Sequence, residues 1–271
     1  MDRRDGSAGR AGHDGCGAIP AEDVIREFDR LLGQDRSREA EEFLYGWLKK
    51  AGEMADWRGE LTLQNELMGF HRSSGKEALG LQAVREGIRL IQDHGMEETL
   101  TAGTTFLNAA TTLKAFGRAE EAIPWYERAE KLYNRLLGEG DYRFAGLCNN
   151  LALAWADLGQ LERANLYYRR ALEVLKGLPG SAMEQAVTWT NLACLEERRQ
   201  ADPDIREERI GFCLDRAMEY LDDPAAERDG YYAFTCRKCA PTFGYFGRFL
   251  AKRELEERAE EIYRRNAHEG T

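Results

Sequence analysis

The sequence predicts an all-α fold in which about five to six helix pairs stack into a solenoid. Three observations predict it. Small residues recur 42 positions apart: Gly75, Gly117 and Gly159; Gly80, Ala122 and Ala164; Gly87, Ala129 and Ala171. Apolar residues recur at helical intervals and do not alternate, as in Leu147, Leu151 and Trp155, or Leu161, Ala164, Tyr168, Ala171 and Leu175. The small residues fall where two helix axes must approach, with Tyr126 and Tyr168 at matching places to fill the gaps. A single helix hairpin cannot bury such a face alone, so copies must stack.

Residues 1–20 are polar and glycine-rich and are expected to form a disordered tail. Residues 21–54 form a degenerate first pair, with Gly33, Gln34 and Asp35 as the turn and Phe43, Leu44, Trp47 and Leu48 as an apolar face. The pair at 57–93 is weaker, with Met68 and Gly80 at small-residue positions and His71 at a large one. Residues 99–137 and 141–177 are the clearest copies, bounded by Gly138-Glu139-Gly140 and Gly177-Leu178-Pro179-Gly180. Pro124 should bend the start of its helix, because it lacks an N–H.

The pair at 181–222 opens with Ser181 and Glu184 at capping-box spacing. Trp189, Leu192 and Ala193 continue the pattern, and an insertion near residues 200–204 delays the second helix to about Asp202-Pro203. A C-terminal capping pair covers 226–265, using Phe243, Phe246, Gly247, Leu250, Ala259 and Tyr263. Its first helix is expected to be long and kinked near Pro241. Its last helix, from Glu254 to Arg265, is charged enough to face water as a terminal cap.

The pattern resembles the tetratricopeptide repeat. That family places a large residue, Leu, a small residue, a large residue, Gly, Ala, an aromatic and Ala in order along each pair. The copy at 145–176 supplies Cys148, Leu151, Ala152, Trp155, Gly159, Ala164, Tyr168 and Ala171. The preceding copy supplies Phe106, Ala109, Ala110, Leu113, Gly117, Ala122, Tyr126 and Ala129. The period departs from the family's usual ~34 residues. The excess is roughly two helical turns and is expected to lengthen both helices, as in the long repeats of kinesin light chain and related bacterial proteins. The resemblance implies a right-handed superhelix whose first helices line a concave face.

The charge balance argues against partners that need clustered positive charge. Lys and Arg number 38 against 48 Asp and Glu, a net charge of −10, so neither nucleic acid nor an anionic membrane is an expected partner. No apolar run is long enough to span a bilayer, and residues 1–20 lack the apolar core of a secretory signal, so a cytoplasmic location is expected. The six cysteines (Cys16, Cys148, Cys194, Cys213, Cys236 and Cys239) then read as reduced thiols. Cys236 and Cys239 form the only Cys-x-x-Cys pair. It could chelate zinc or cycle as a dithiol, but the histidines (His13, His71, His94, His268) supply no paired ligands, and packed thiols are the alternative. No phosphate-binding loop, nucleophile elbow or zincin motif is present, and the expectation is a non-enzyme with no cofactor and no metal.

By resemblance, the concave face presents Asn108, Asn150 and Asn191 at one equivalent position in successive repeats, with Asn65 beside that position in an earlier one. An asparagine amide both donates and accepts, so such a column can pair with the backbone of an extended peptide. In kinesin light chains and chaperone-binding members, asparagines at this position hold peptide backbone. The other reading is that they bond only to neighbouring helices. Flanking groove candidates are Arg72, Thr111, Lys114, Asn149, Asp157, Glu197, Arg198, Arg248 and Lys252. Arg248 and Lys252, four apart on one helix face, could hold a carboxylate or remain solvated.

The segment Tyr231–Phe246 contains six aromatics, Tyr231, Tyr232, Phe234, Phe243, Tyr245 and Phe246. Core packing is expected to account for most of them; a binding patch or homodimer contact is the alternative. The functional expectation is a non-catalytic protein–protein interaction scaffold that binds another protein's extended segment in its concave groove. Alternatives are a small-ligand or peptide-sensing regulator, and a thiol or zinc protein built on Cys236 and Cys239.

Overall fold

The computed structural model describes residues 17–138, 140–200 and 202–269, the last three by backbone only. Among the described residues there are twelve helices and no strand. Most of the expected N-terminal tail, Cys16, His13 and the side chain of His268 lie outside them. Packing divides the chain into two compact units, residues 1–95 and 96–271.

The first unit contains α1 (Ala21–Gly33), α2 (Ser37–Glu53), α3 (Trp57–Ser73) and α4 (Glu77–Asp93). Its core joins Val24, Phe28 and Leu31 of α1 to Leu44 of α2, Leu67 and Phe70 of α3, and Ile91 of α4. Phe28 and Phe70 meet edge to face at 5.8 Å. The segment just before α1 does not behave as a tail. Ile19 is buried, and its N–H donates to Asp56 Oδ2 at 2.9 Å while Asp56 Oδ1 caps α3 at Gly59 N. A Cβ at Gly59 would fall 2.6 Å from Ile19 Cγ1, so glycine there makes room for the docked segment.

The second unit contains α5 (Leu100–Ala115), α6 (Ala119–Leu136), α7 (Tyr142–Asp157), α8 (Leu161–Lys176), α9 (Ala182–Arg198), α10 (Pro203–Leu221), α11 (Gly230–Tyr245) and α12 (Phe249–Glu269). These form four antiparallel pairs, each second helix packing on the first, with α6 also on α7 and α8 also on α9. The small residues do what their spacing requires: Ala122, Ala129, Ala164 and Ala171 are fully buried at the crossings, beside the buried rings of Tyr126 and Tyr168.

The recurring glycine is a helix terminator. Gly117 adopts φ 77° and Gly159 φ 74°. In each case the next residue's N–H reaches back five residues, Arg118 to Leu113 O and Gln160 to Trp155 O, closing a Schellman motif. Gly75 and Gly247 repeat it. In the first unit Asp35 and Ala55 occupy this left-handed position, at φ 58° and 53°. Gly33 is instead the last residue of α1.

Two local expectations are corrected. Ser181 does not cap α9 with its side chain; its hydroxyl donates back to Leu175 O and Leu178 O, closing the turn after α8. Glu184 is thereby released from the capping box. α11 is no longer than α5 or α7 and runs through Pro241 as a single helix. α6 contains Pro124 in its second turn. α10 starts at Pro203, with Asp202 accepting from Asp204 N at 3.0 Å. No helix among the described residues is long and apolar enough to cross a membrane.

Candidate functional site

α11 packs on α9 as well as on its own partner α12. The first helices of three pairs, α7, α9 and α11, thereby line one groove of about 610 Å³ together with the α8–α9 turn. Leu153 of α7, Val187 of α9 and Phe234 of α11 give it apolar walls, with Leu178 and Pro179 closing one end.

Three sequence-predicted residues meet there: Asn149 and Asn150 of α7 and Asn191 of α9. Asn149 bridges the two helices, its Nδ2 donating to Thr188 Oγ1 at 2.8 Å. Asn150 Nδ2 donates to Gly146 O within its own helix at 2.9 Å. An amide carries two donor hydrogens and an acceptor oxygen, and this bond uses one of the donors.

The remaining candidates lie elsewhere. Asn65 and Arg72 are on α3 of the first unit, and Asn65 donates to Leu61 O. Asn108 is half-buried on α5 and does not line this groove. Thr111 donates to Leu107 O and accepts from Tyr126, tying α5 to α6. Lys114 and Asp157 pair at 3.4 Å between α5 and α7. Glu197 accepts from Tyr245, and Arg198 is exposed at the end of α9. Arg248 and Lys252 share no free site: Arg248 pairs with Asp215 of α10 at 3.2 Å, and Lys252 with Glu256 at 3.6 Å.

Sequence reasoning offered Tyr231 and Phe234 only within an aromatic segment that could form a binding patch, and did not offer Glu184, Thr235 or Lys238 as site residues. Glu184, Tyr231, Phe234, Thr235 and Lys238 all line the groove. Tyr231 and Phe234 stack at 6.4 Å, and Tyr231 donates to Glu184 Oε1 at 3.0 Å. Partial burial, with the Glu184 carboxylate beside it, pushes the Tyr231 hydroxyl well above its ordinary pKa and keeps it a donor. The aromatic segment was a visible signal, but only Tyr232 and Phe243 of its six rings are buried; Tyr231, Phe234 and Tyr245 are exposed.

Three buried polar atoms of the groove have no partner within the protein: Asn149 Oδ1, Glu184 Oε2 and Thr235 Oγ1. They come from three different helices. Native proteins leave few such atoms unpaired.

The Cys-x-x-Cys pair sits behind this groove. Cys236 and Cys239 are fully buried, and Cys239 Sγ lies 3.7 Å from Thr190 Oγ1. Burial raises both thiols, Cys239 to about 11, which disfavours the thiolate that exchange or metal binding needs. No group of three potential metal ligands occurs among the described residues.

The tetratricopeptide repeat family profile matches residues 103–141 and 144–178. No curated protein matches the sequence. Among solved structures, the fold is similar to nearly identical TPR-like repeats assigned to a kinesin light chain of Podosopora anserina, at 14% identity and a TM-score of 0.50, covering 75% of this chain and 94% of that one. It is also similar to BtubC (BKLC) of P. vanneervenii, at 20% identity and a TM-score of 0.49, covering 93% and 94%.

Proposed function

Because the chain carries tetratricopeptide repeats, a family generally devoted to protein–protein contacts, we propose that it is a non-catalytic interaction scaffold. Its α7–α9–α11 groove holds an extended segment of a partner protein. The observation that carries this reading is the meeting of Asn149, Asn150 and Asn191 along one apolar-walled groove. An extended peptide offers an N–H and a C=O at each residue, and amide side chains can answer both without reading sequence. The apolar walls supply the area-dependent part of the affinity. Five described cysteines are unpaired, which supports a reducing, cytoplasmic setting.

A small-ligand or peptide-sensing role is a second reading. About 610 Å³ lies within the range of small-molecule sites, so the same groove could take one.

The test is an array of short extended peptides probed with the full chain and with an Asn150→Ala, Asn191→Ala double variant whose helicity is checked by circular dichroism. Asn149 is left intact because it ties α7 to α9. Loss of two hydrogen bonds is expected to weaken retained peptides by about tenfold or more. Retention unchanged in the folded variant would move the contact away from this groove. Retention of no peptide would favour the small-ligand reading.

A further inference from the structure

The groove's unpaired atoms restrict what its occupant must bring. Asn149 Oδ1 accepts, Glu184 Oε2 is a carboxyl oxygen with no partner in the protein, and Thr235 Oγ1 can donate or accept. Thr235 is fully buried. The other Glu184 oxygen already receives the Tyr231 hydroxyl. The protein has a nearby cation in Lys238, yet Lys238 makes no ion pair with Glu184; its ammonium stands 6.0 Å over the Phe234 ring. A sheltered carboxylate oxygen, two neutral oxygens and a stacked pair of rings are left for an incoming group.

Resting on the groove reading above, we propose that the groove selects an extended segment that places a lysine or arginine side chain on Glu184 Oε2. A neutral peptide N–H could satisfy one of these oxygens, but a charged donor gains most from a carboxylate shielded from water. The alkyl stem of such a residue would run along the Tyr231 and Phe234 rings, which suit both its methylenes and its charge. An acidic side chain at that one position would set its own carboxylate against Glu184. The selected partner is therefore basic at one position, and the position is fixed by α9 and α11 together.

The experiment uses the full chain and pools of short extended peptides that differ only in a central Arg, Lys, Gln or Glu. Wild type should retain the Arg and Lys pools at least about tenfold better than the Gln pool, the size of one charge-assisted hydrogen bond, with the Glu pool weakest. Glu184→Gln should level the Arg, Lys and Gln pools, while Glu184→Asp, which keeps the charge on a shorter arm, should keep part of the preference. Equal retention of basic and neutral pools by wild type overturns the proposal, as does a preference that survives Glu184→Gln. If retention depends on Asn150 and Asn191 but ignores the central residue, the groove reading stands and this one falls. If wild type retains no pool, both fall. The wild-type comparison decides the matter alone should Glu184→Gln fail to fold.

Discussion

Gly103→Ala sets two opposed effects against each other at a close contact between α5 and α6. A methyl at this position would fall 2.8 Å from Tyr133 Cε1 and 3.1 Å from Cδ1. Carbon atoms normally rest about 3.5–4.0 Å apart, so the ring must retreat. It has little room. Tyr133 is fully buried, and its far side meets Phe144 of α7 edge to face at 6.0 Å. Alanine in a helix interior gains about 1 kcal/mol over glycine, whereas overpacking costs about 1–3 kcal/mol. The variant should lose up to about 2 kcal/mol. Gly146 of α7 is the internal control, since a methyl there meets nothing within 4 Å. Gly146→Ala should gain close to the full ~1 kcal/mol of helix propensity. Urea unfolding followed by circular dichroism measures both. Trimming the ring in a Gly103→Ala, Tyr133→Leu double variant should restore part of the loss beyond additivity, by about 0.5–2 kcal/mol. Equal stabilisation at both glycines, or strict additivity in the cycle, would show that the close approach does not decide why glycine stands at 103.

Ala55→Gly tests the strain stored in the first unit. Ala55 holds φ 53°, which costs a non-glycine residue about 1–2 kcal/mol, and glycine's freedom when unfolded returns about 0.4–1 kcal/mol. A net gain of about 0.5–1 kcal/mol should appear as a raised urea midpoint, and a loss would contradict the left-handed assignment. His71 predicts a pH dependence. It is fully buried, with its Nε2 3.0 Å from the Tyr45 hydroxyl, and burial lowers its pKa more than nearby Glu41 raises it, while Lys76 lowers it further. The unfolded chain then binds the proton more readily, so the stability from neutral His71 is present above about pH 6.5 and is lost as the pH falls through the lower folded value. Urea midpoints should drop between neutral and mildly acidic pH, and less steeply in His71→Leu. Parallel slopes for the two proteins would assign the pH dependence to other groups.

The all-α repeat fold was legible because its signals are steric and local. Gly117 and Gly159 recur since only glycine adopts the left-handed turn without strain, and Ala122 and Ala164 recur since nothing larger fits the crossing. The turn at Gly33-Gln34-Asp35 was legible, but not that Asp35, and Ala55 in the next turn, would take the left-handed position, because no glycine announces it. Ser181 misled for a related reason: capping-box spacing says what a serine can do, and the turn after α8 offered its hydroxyl the carbonyls of Leu175 and Leu178 instead. The groove was half legible. Repeat periodicity tells which face of a helix carries Asn150 and Asn191, but not which neighbouring helices converge. Asn108 lies outside the groove although it repeats the Asn150 position, while Glu184, Phe234 and Thr235 enter it because α11 packs onto α9. That contact joins residues with no common spacing, and no periodic reading finds it.

Thr235 shows how the site and the stability of the free protein pull apart. Its hydroxyl is fully buried and unpaired, a state that costs about 1–3 kcal/mol against a satisfied or absent hydroxyl. Valine has nearly the same shape and removes that cost. Thr235→Val should therefore raise the stability of the free protein by about 1 kcal/mol, although it deletes a polar group from the core. If the hydroxyl exists to meet an incoming donor or acceptor, the same variant should retain groove-bound peptides less well, with a loss of severalfold. A purely structural threonine would give the opposite signature, with stability lowered by substitution and retention untouched. Stability and retention moving in opposite directions is the pattern expected where a folded chain keeps an unfavourable group for the sake of a ligand. A variant that is both more stable and equally retentive would remove Thr235 from the site and leave Glu184 and the asparagines to account for binding alone.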